Sequence, residues 1–249
     1  MAKIISVHSF RGGTGKSNTT ANLAALMASQ GLRVAVVDTD IQSPGLHVLF
    51  GLRGEDITHS LNDHIWGKIA IREAAIPVLE GQVSGAVFLV PSSVRADDIV
   101  QILRQGYDMR MLTSAFRELT EELELDVLLI DTHPGLNEET LFSLAISSAV
   151  VIVMRPDQQD YEGTGVTVEV ARSLEVPSMA LLVNKAPASL DPVALAETVS
   201  STFNCPVLAV QPHSDAMLEL GSRGVFALVH PDDPMTESLR SAVRQLLAD

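Results

Sequence analysis

Residues 3–20 read KIISVHSFRGGTGKSNTT. The opening run, residues 3–7, is short and rich in β-branched side chains, as expected of a strand buried on both faces. Residues 17–30 are rich in alanine and leucine and stop at Gly31, a helix-ending residue. Between them lies a glycine-rich turn closed by Gly-Lys-Ser. Strand, glycine turn and helix in that order form a phosphate cradle. The glycines let main-chain N–H groups converge on an anion, and the helix presents its positive end. The common spacing G-x-x-x-x-G-K-[ST] is not met, because Phe10 stands where the first glycine belongs. The cradle is therefore assigned to Gly12, Gly13, Thr14, Gly15, Lys16, Ser17 and Asn18. In it Lys16 reaches the β- and γ-phosphates and the Ser17 hydroxyl serves Mg2+.

Working outward, six further aliphatic runs read as strands: 33–38, 86–91, 127–131, 149–154, 179–184 and 206–210. Helical patterns separate most of them, at 110–123, 163–174 and 192–203. Leu112, Phe116, Leu119 and Leu123, for example, recur at spacings of three and four. This alternation predicts one α/β domain over residues 1–249, with a mostly parallel twisted sheet flanked by helices on both faces. Residues 41–85 are irregular and are expected to be loop and short helices along one edge of the nucleotide site.

Composition narrows the function. Hydrophobic residues make up 46% of the 249 and aromatics only 4%, so the core is aliphatic. A net charge of -14 repels DNA and anionic lipid at long range. The single cysteine, Cys205, cannot form an intrachain disulfide or a multi-cysteine metal site. With no signal-peptide pattern and no apolar run of about 18 residues, a cytoplasmic location is expected.

Two acidic elements follow strands. Residues 36–46 read VVDTDIQSPGL and place Asp38 and Asp40 at the edge where parallel sheets bind ligands. Residues 127–135 read VLLIDTHPG, four apolar residues and then Asp131, the form of a strand whose carboxylate serves Mg2+ directly or through water. His133 reads either as an acid–base group or as loop packing.

The stretch 11–17, RGGTGKS, resembles the deviant Walker A loop K-G-G-x-G-K-[ST] of the ParA/MinD family of ATPases. The match holds at Gly12, Gly13, Gly15, Lys16 and Ser17 and fails at the first position, where Arg11 replaces the signature lysine. Residues 43–46 (SPGL), 49–52 (LFGL) and 131–135 (DTHPG) resemble the MinD side of that family. The resemblance covers nearly the whole chain, most weakly over 53–85 and 95–120. It implies a P-loop NTPase fold of the SIMIBI type, with ATP and Mg2+ as ligands and a homodimer closed by ATP. It also implies that Asp40 positions or activates the attacking water, while Asp38 stands nearer the lysine or the magnesium shell. Arg11 then has three readings: a phosphate contact across the dimer, a local structural role, or the mark of a weakened site. Arginine keeps a fixed charge and a donor fork suited to phosphate. Residues 181–186, LLVNKA, bring Asn184 to the base, or leave it as a strand end. Pro212, in VQPHSDAM (210–217), resembles the wall of the adenine pocket.

What the resemblance implies is an ATP-hydrolysing dimerisation switch that positions or partitions an intracellular cargo. Its catalytic residues would be Lys16, Asp40 and Arg11, its metal residues Ser17, Asp38 and Asp131, and its partner a protein adaptor or cargo. The alternative is a synthetase of the related dethiobiotin or cobyrinic acid amidating type. Iron–sulfur transfer needs more cysteines than this chain has. DNA is not an expected partner. A membrane contact through the closing helix, 236–249, competes with packing of that helix on the core.

Overall fold

The computed structural model describes residues 2–248. Eight strands form one sheet: β1 (Lys3–His8), β2 (Arg33–Asp38), β3 (Ile76–Val78), β4 (Ala86–Val90), β5 (Val127–Asp131), β6 (Ala149–Met154), β7 (Ser178–Ala186) and β8 (Val207–Pro212). Their order is β3-β4-β2-β5-β1-β6-β7-β8. Every pairing is parallel except that of β3 with β4. All seven expected strands are present, three with the expected ends and four with ends shifted by one or two residues. The antiparallel edge strand β3 was not anticipated. Three residues around Pro77 give no readable period, and proline is tolerated there because the strand lies at the edge.

The helices are α1 (Lys16–Ala28), α2 (Leu46–Leu49), α3 (Leu61–Ile65), α4 (Ala96–Gln105), α5 (Arg110–Glu122), α6 (Glu138–Ile146), α7 (Gln158–Ser173), α8 (Pro192–Phe203), α9 (Asp215–Leu220), α10 (Phe226–Val229) and α11 (Pro234–Ala248). Two turns of 3-10 helix, Gly54–Asp56 and Ile71–Ala74, lie in the irregular 41–85 segment beside α2 and α3. Helix α7 begins five residues before the expected start at 163. The Asp157 carboxylate caps it by accepting from the Asp160 N–H, which carries the helix back to Gln158.

Strand alternation divides the core between two faces. Val34, Val36, Val127 and Leu129 point to the side covered by α1, α2, α10 and α11. Ala35, Val37, Leu128 and Ile130 point to the other, under α3, α4 and α5. Further along that second side, Val150, Ile152, Leu181 and Val183 meet Leu144 of α6, Val168 of α7, and Val199 and Phe203 of α8. Alanines at 21, 24, 25 and 28 bury α1 almost completely, because small side chains let it lie close to the sheet. Helix α11 packs Leu239, Val243 and Leu246 into the same core, and the Lys3 ammonium donates to the Leu246 carbonyl (2.5 Å). At about 1.5–3 kcal/mol for each buried aliphatic side chain, that packing is the favoured use of its apolar face. Asp249, the end of the stretch read as the closing helix, lies outside the described residues. Among the described residues no helix is long and apolar enough to cross a membrane.

Because β1, β2 and β5 run parallel side by side, their C-terminal ends deliver three loops to one edge: 9–15, 39–45 and 132–137. The phosphate loop and both acidic elements meet there.

Candidate nucleotide site

The loop between β1 and α1 is built on two glycines in the left-handed region, Gly13 (φ 81°) and Gly15 (φ 96°). A side chain at either position is strained. Gly15 is the N-cap of α1, with no side-chain cap and no acidic residue in the first turn. The first N–H groups of the helix are thus left for an anion. Lys16 is 6% exposed, and its ammonium lies 2.9 Å from Asp131 Oδ2. Ser17 Oγ donates to the same oxygen (2.7 Å), while Thr20 Oγ1 donates to Asp131 Oδ1 (2.6 Å). A buried carboxylate is thereby met by one cation and two hydroxyls. The Thr14 hydroxyl is buried with no hydrogen-bond partner, a polar atom available to a ligand of the loop.

Asp38 and Asp131 are paired in register across β2 and β5. Asp38 turns both oxygens to the loop that follows it, accepting from the Asp40 N–H (3.0 Å) and the Leu46 N–H (3.3 Å). Burial, with the Asp131 charge beside it, pushes its carboxyl up to about 7. Asp38 therefore shapes the loop that carries Asp40, and the structure does not bond it to Ser17. Asp40 accepts from the Ser43 N–H (3.2 Å), and its Oδ1 lies 3.8 Å from His133 Nε2. Burial raises its pKa, with Lys16 and His133 acting the other way. His133 Nδ1 is 2.6 Å from the Pro134 carbonyl, so the ring is held in its loop while its far edge faces Asp40.

Arg11 is engaged within the chain. Its Nε lies 2.8 Å from Asp160 Oδ1, its NH2 lies 3.7 Å from Asp157, and its NH1 bonds Gln159 Oε1. Asp160 is 2% exposed and is shared with Arg155, whose main-chain N–H donates to Asp160 Oδ2 (2.8 Å). Beneath this contact the Phe10 ring lies against Gly163, where a Cβ would collide with the ring.

At the other end of the loop, Asn184 Nδ2 donates to the Thr14 carbonyl (2.8 Å), and its Oδ1 accepts from the Lys185 N–H (2.9 Å). The Lys185 ammonium donates to the Gly13 carbonyl (2.7 Å), from a backbone in the left-handed region (φ 56°). The β7 end thus braces the phosphate loop by two bonds, and Asn184 does so with its amide. Asn184 and Pro212 also line a small pocket of about 50 Å³ with Asn18, Met217 and Leu218.

Sequence reading missed Thr20 and Asp160. Thr20 lies three residues after Ser17, hence on the same helix face, and that spacing was the available signal. Asp160 carried no local signal, since its partner Arg11 is 149 residues away in sequence. Among the described residues no group of three or more His, Cys, Asp or Glu side chains is placed to hold a metal ion. Ser17 and Asp131 nevertheless fit Mg2+, which takes few protein ligands and completes its shell with phosphate and water.

The protein-family model described as AAA domain matches residues 2–176. The chain is 25% identical to an uncharacterized ATP-binding protein of Methanocaldococcus jannaschii over 248 residues, covering 99% of this chain and 88% of that protein. It is 24% identical to the septum site-determining protein MinD of Neisseria meningitidis, covering 100% of this chain and 92% of that one. An iron-sulfur cluster carrier protein of Aquifex aeolicus is 30% identical over 74% of this chain, but this chain spans only 47% of its length. Among solved structures, the septum site-determining protein MinD of Pyrococcus horikoshii, complexed with Mg-ADP, superimposes with a TM-score of 0.83. The identity there is 22%, over 100% of this chain and 98% of the other, which establishes a shared fold.

Proposed function

We propose that this chain, which belongs to the AAA domain family, is a ParA/MinD-type ATPase with ATP and Mg2+ as its ligands, a dimerisation switch driven by ATP binding and hydrolysis that acts in cytoplasmic positioning or partitioning of a cargo, a reading supported by its likeness to ATP-binding and MinD proteins. The observation that carries this reading is the convergence of Lys16, Ser17 and Thr20 on the buried Asp131 carboxylate beneath an uncapped helix N-terminus.

The residues divide the work as follows. The loop N–H groups of 12–17 and the Lys16 ammonium receive the phosphate oxygens. Ser17 and Asp131 would hold Mg2+, which when bound would supply charge neutralisation for the phosphates. Asp40 orients the attacking water, and Asp38 fixes the loop that carries Asp40. Thr14, Asn18, Asn184 and Pro212 border the nucleotide, with Asn184 and Lys185 also keeping the loop in shape. Arg11 exchanges its hold on Asp160 for phosphate across the dimer. Cys205 is single within this chain, buried, and bonded to the Met179 carbonyl (3.6 Å), so cluster carriage forms no part of the reading.

The test is Mg2+-dependent phosphate release from ATP by wild type, Lys16→Ala and Asp40→Ala. The reading expects turnover in wild type alone, with ATP binding retained in Asp40→Ala. Turnover that requires a small carboxylic substrate supports the synthetase alternative instead.

A further inference from the structure

Asp40 Oδ1 and His133 Nε2 face each other at 3.8 Å, beyond the reach of a direct hydrogen bond. Each is held from behind. The Ser43 N–H donates to Asp40 Oδ1 (3.2 Å), and His133 Nδ1 lies 2.6 Å from the Pro134 carbonyl, an oxygen that only accepts. Nδ1 therefore carries the ring hydrogen, and the neutral ring presents a bare lone pair at Nε2. The His133 carbonyl accepts from Thr140 Oγ1 (3.2 Å), which fastens its loop to the start of α6. A carboxylate oxygen and an imidazole lone pair supply no hydrogen to each other. Polar atoms set apart by more than about 3.5 Å are joined through water. A water about 2.8 Å from each atom spans the gap and gives both of its hydrogens to them. The His133 and Asp40 side chains are 22% and 13% exposed, so solvent reaches this point. Lys16, the cation of the phosphate loop, is close enough to act on the Asp40 charge.

We propose that His133 is a second acceptor for the water that attacks the terminal phosphate. Asp40 Oδ1 takes one hydrogen bond from that water and His133 Nε2 takes the other, which leaves an oxygen lone pair free for the phosphorus. Asp40 alone would let the water turn about a single hydrogen bond; the second acceptor removes that freedom. In the step itself the water oxygen bonds the γ-phosphorus. The bond from that phosphorus to the β-bridging oxygen breaks, and its electron pair leaves on the diphosphate. Both water hydrogens go with the released dihydrogen phosphate, so His133 orients the water without keeping its proton. This role rests on the ATPase reading; the bare Nε2 opposite Asp40 does not.

The first arm of the test needs no nucleotide. In protein carrying isotope-labelled histidine, long-range proton–nitrogen NMR tells the two ring nitrogens apart at mildly alkaline pH, where an ordinary imidazole is neutral. His133→Gln identifies the His133 signals among those of the seven histidines. His133 should show a hydrogen on Nδ1 and none on Nε2. A hydrogen on Nε2 overturns the proposal, because the ring then donates to Asp40 and has no lone pair for water. The second arm follows phosphate release at saturating ATP and Mg2+. His133→Ala should lower kcat by about tenfold or more, while KM and calorimetric ATP affinity stay within about twofold. His133→Gln, whose amide oxygen accepts, should keep part of the rate, and free imidazole should restore part of it to His133→Ala. A fall in kcat with an equal loss of ATP affinity and no recovery with imidazole overturns the role in favour of loop packing. Undiminished kcat in His133→Ala overturns it as well. Wild type that binds ATP yet releases no phosphate sinks the ATPase reading, and the hydrolytic role with it, even where Nε2 is bare.

Discussion

Arg11 Nε lies 2.8 Å from Asp160 Oδ1, so the cation that distinguishes this phosphate loop is tied to the start of α7 in the single chain. Asp160 is 2% exposed and serves Arg11 and Arg155 together. Removing it leaves the two guanidinium groups with Asp157 as their remaining carboxylate and the Arg155 N–H without its acceptor. Asp160→Ala should lower unfolding free energy by about 1–3 kcal/mol in urea titrations. A change within experimental error means that the cluster contributes nothing to the resting fold.

Arg11 itself should behave differently. Its side chain is 28% exposed, and in the dimer reading its essential contact is to phosphate. Arg11→Ala should keep ATP affinity in the single chain within about threefold yet reduce turnover by about tenfold or more. Arg11→Lys should recover part of that rate, because charge survives while the donor fork is lost. Full turnover in Arg11→Ala would leave the residue only its tether to α7.

Gly163 faces the Phe10 ring, and a Cβ at this position collides with it. Gly163→Ala should cost about 1–3 kcal/mol. Adding Phe10→Leu should restore most of the loss, which thermal unfolding of the single and double variants will show. Absence of rescue locates the damage elsewhere.

Asp131 gathers Lys16, Ser17 and Thr20. Asp131→Asn keeps the shape and loses the charge. Calorimetric titration of ATP with and without Mg2+ should find that the magnesium-dependent gain in affinity drops by about tenfold or more. An unchanged gain assigns the ion to other ligands.

His8 is fully buried at the end of β1, and its pKa is held down to about 3 by burial and then by Lys16 and His133. The Thr132 hydroxyl donates to the Val7 carbonyl and accepts from His8 Nδ1, which leaves Nε2 without a partner. The unfolded chain binds the proton near the ordinary value of 6.5, and the folded chain does not until about 3. Between those values the unfolded state holds more protons, so this group's contribution is full above 6.5 and is lost as the pH falls. The loss approaches about 1.4 kcal/mol per pH unit. His8→Gln should flatten that slope relative to wild type in urea titrations from pH 6.5 to 4, and parallel slopes contradict it.

Much of this was legible in the chain, for physical reasons that differ by element. The parallel strands β2, β5 and β6 are buried on both faces, so each is an unbroken aliphatic run with matching boundaries. Helix α8 is announced by Asp191 as N-cap and Pro192 in the first turn. Helix α6 had a comparable signal in Asn137, Glu138 and Glu139, but it directly follows residues 131–135, which were read for their family resemblance. Phosphate contacts are local in sequence, and Gly12 to Ser17 declare them. The contacts of Asp160 with Arg11 and of Lys185 with Gly13 join distant segments, and no single window holds both partners. Asp38 shows a further limit. Its place at the strand end was readable, but its two bonds to the 40–46 backbone depend on how that loop folds back.

The central claim is that ATP closes two copies of this chain. Light scattering of the 26.7 kDa protein, with and without ATP and Mg2+, tests it directly. The account predicts a mass that doubles with ATP and Mg2+ in wild type, stays doubled in Asp40→Ala, and never leaves the single-chain value in Lys16→Ala. A wild-type mass that stays at 26.7 kDa while ATP is demonstrably bound contradicts it.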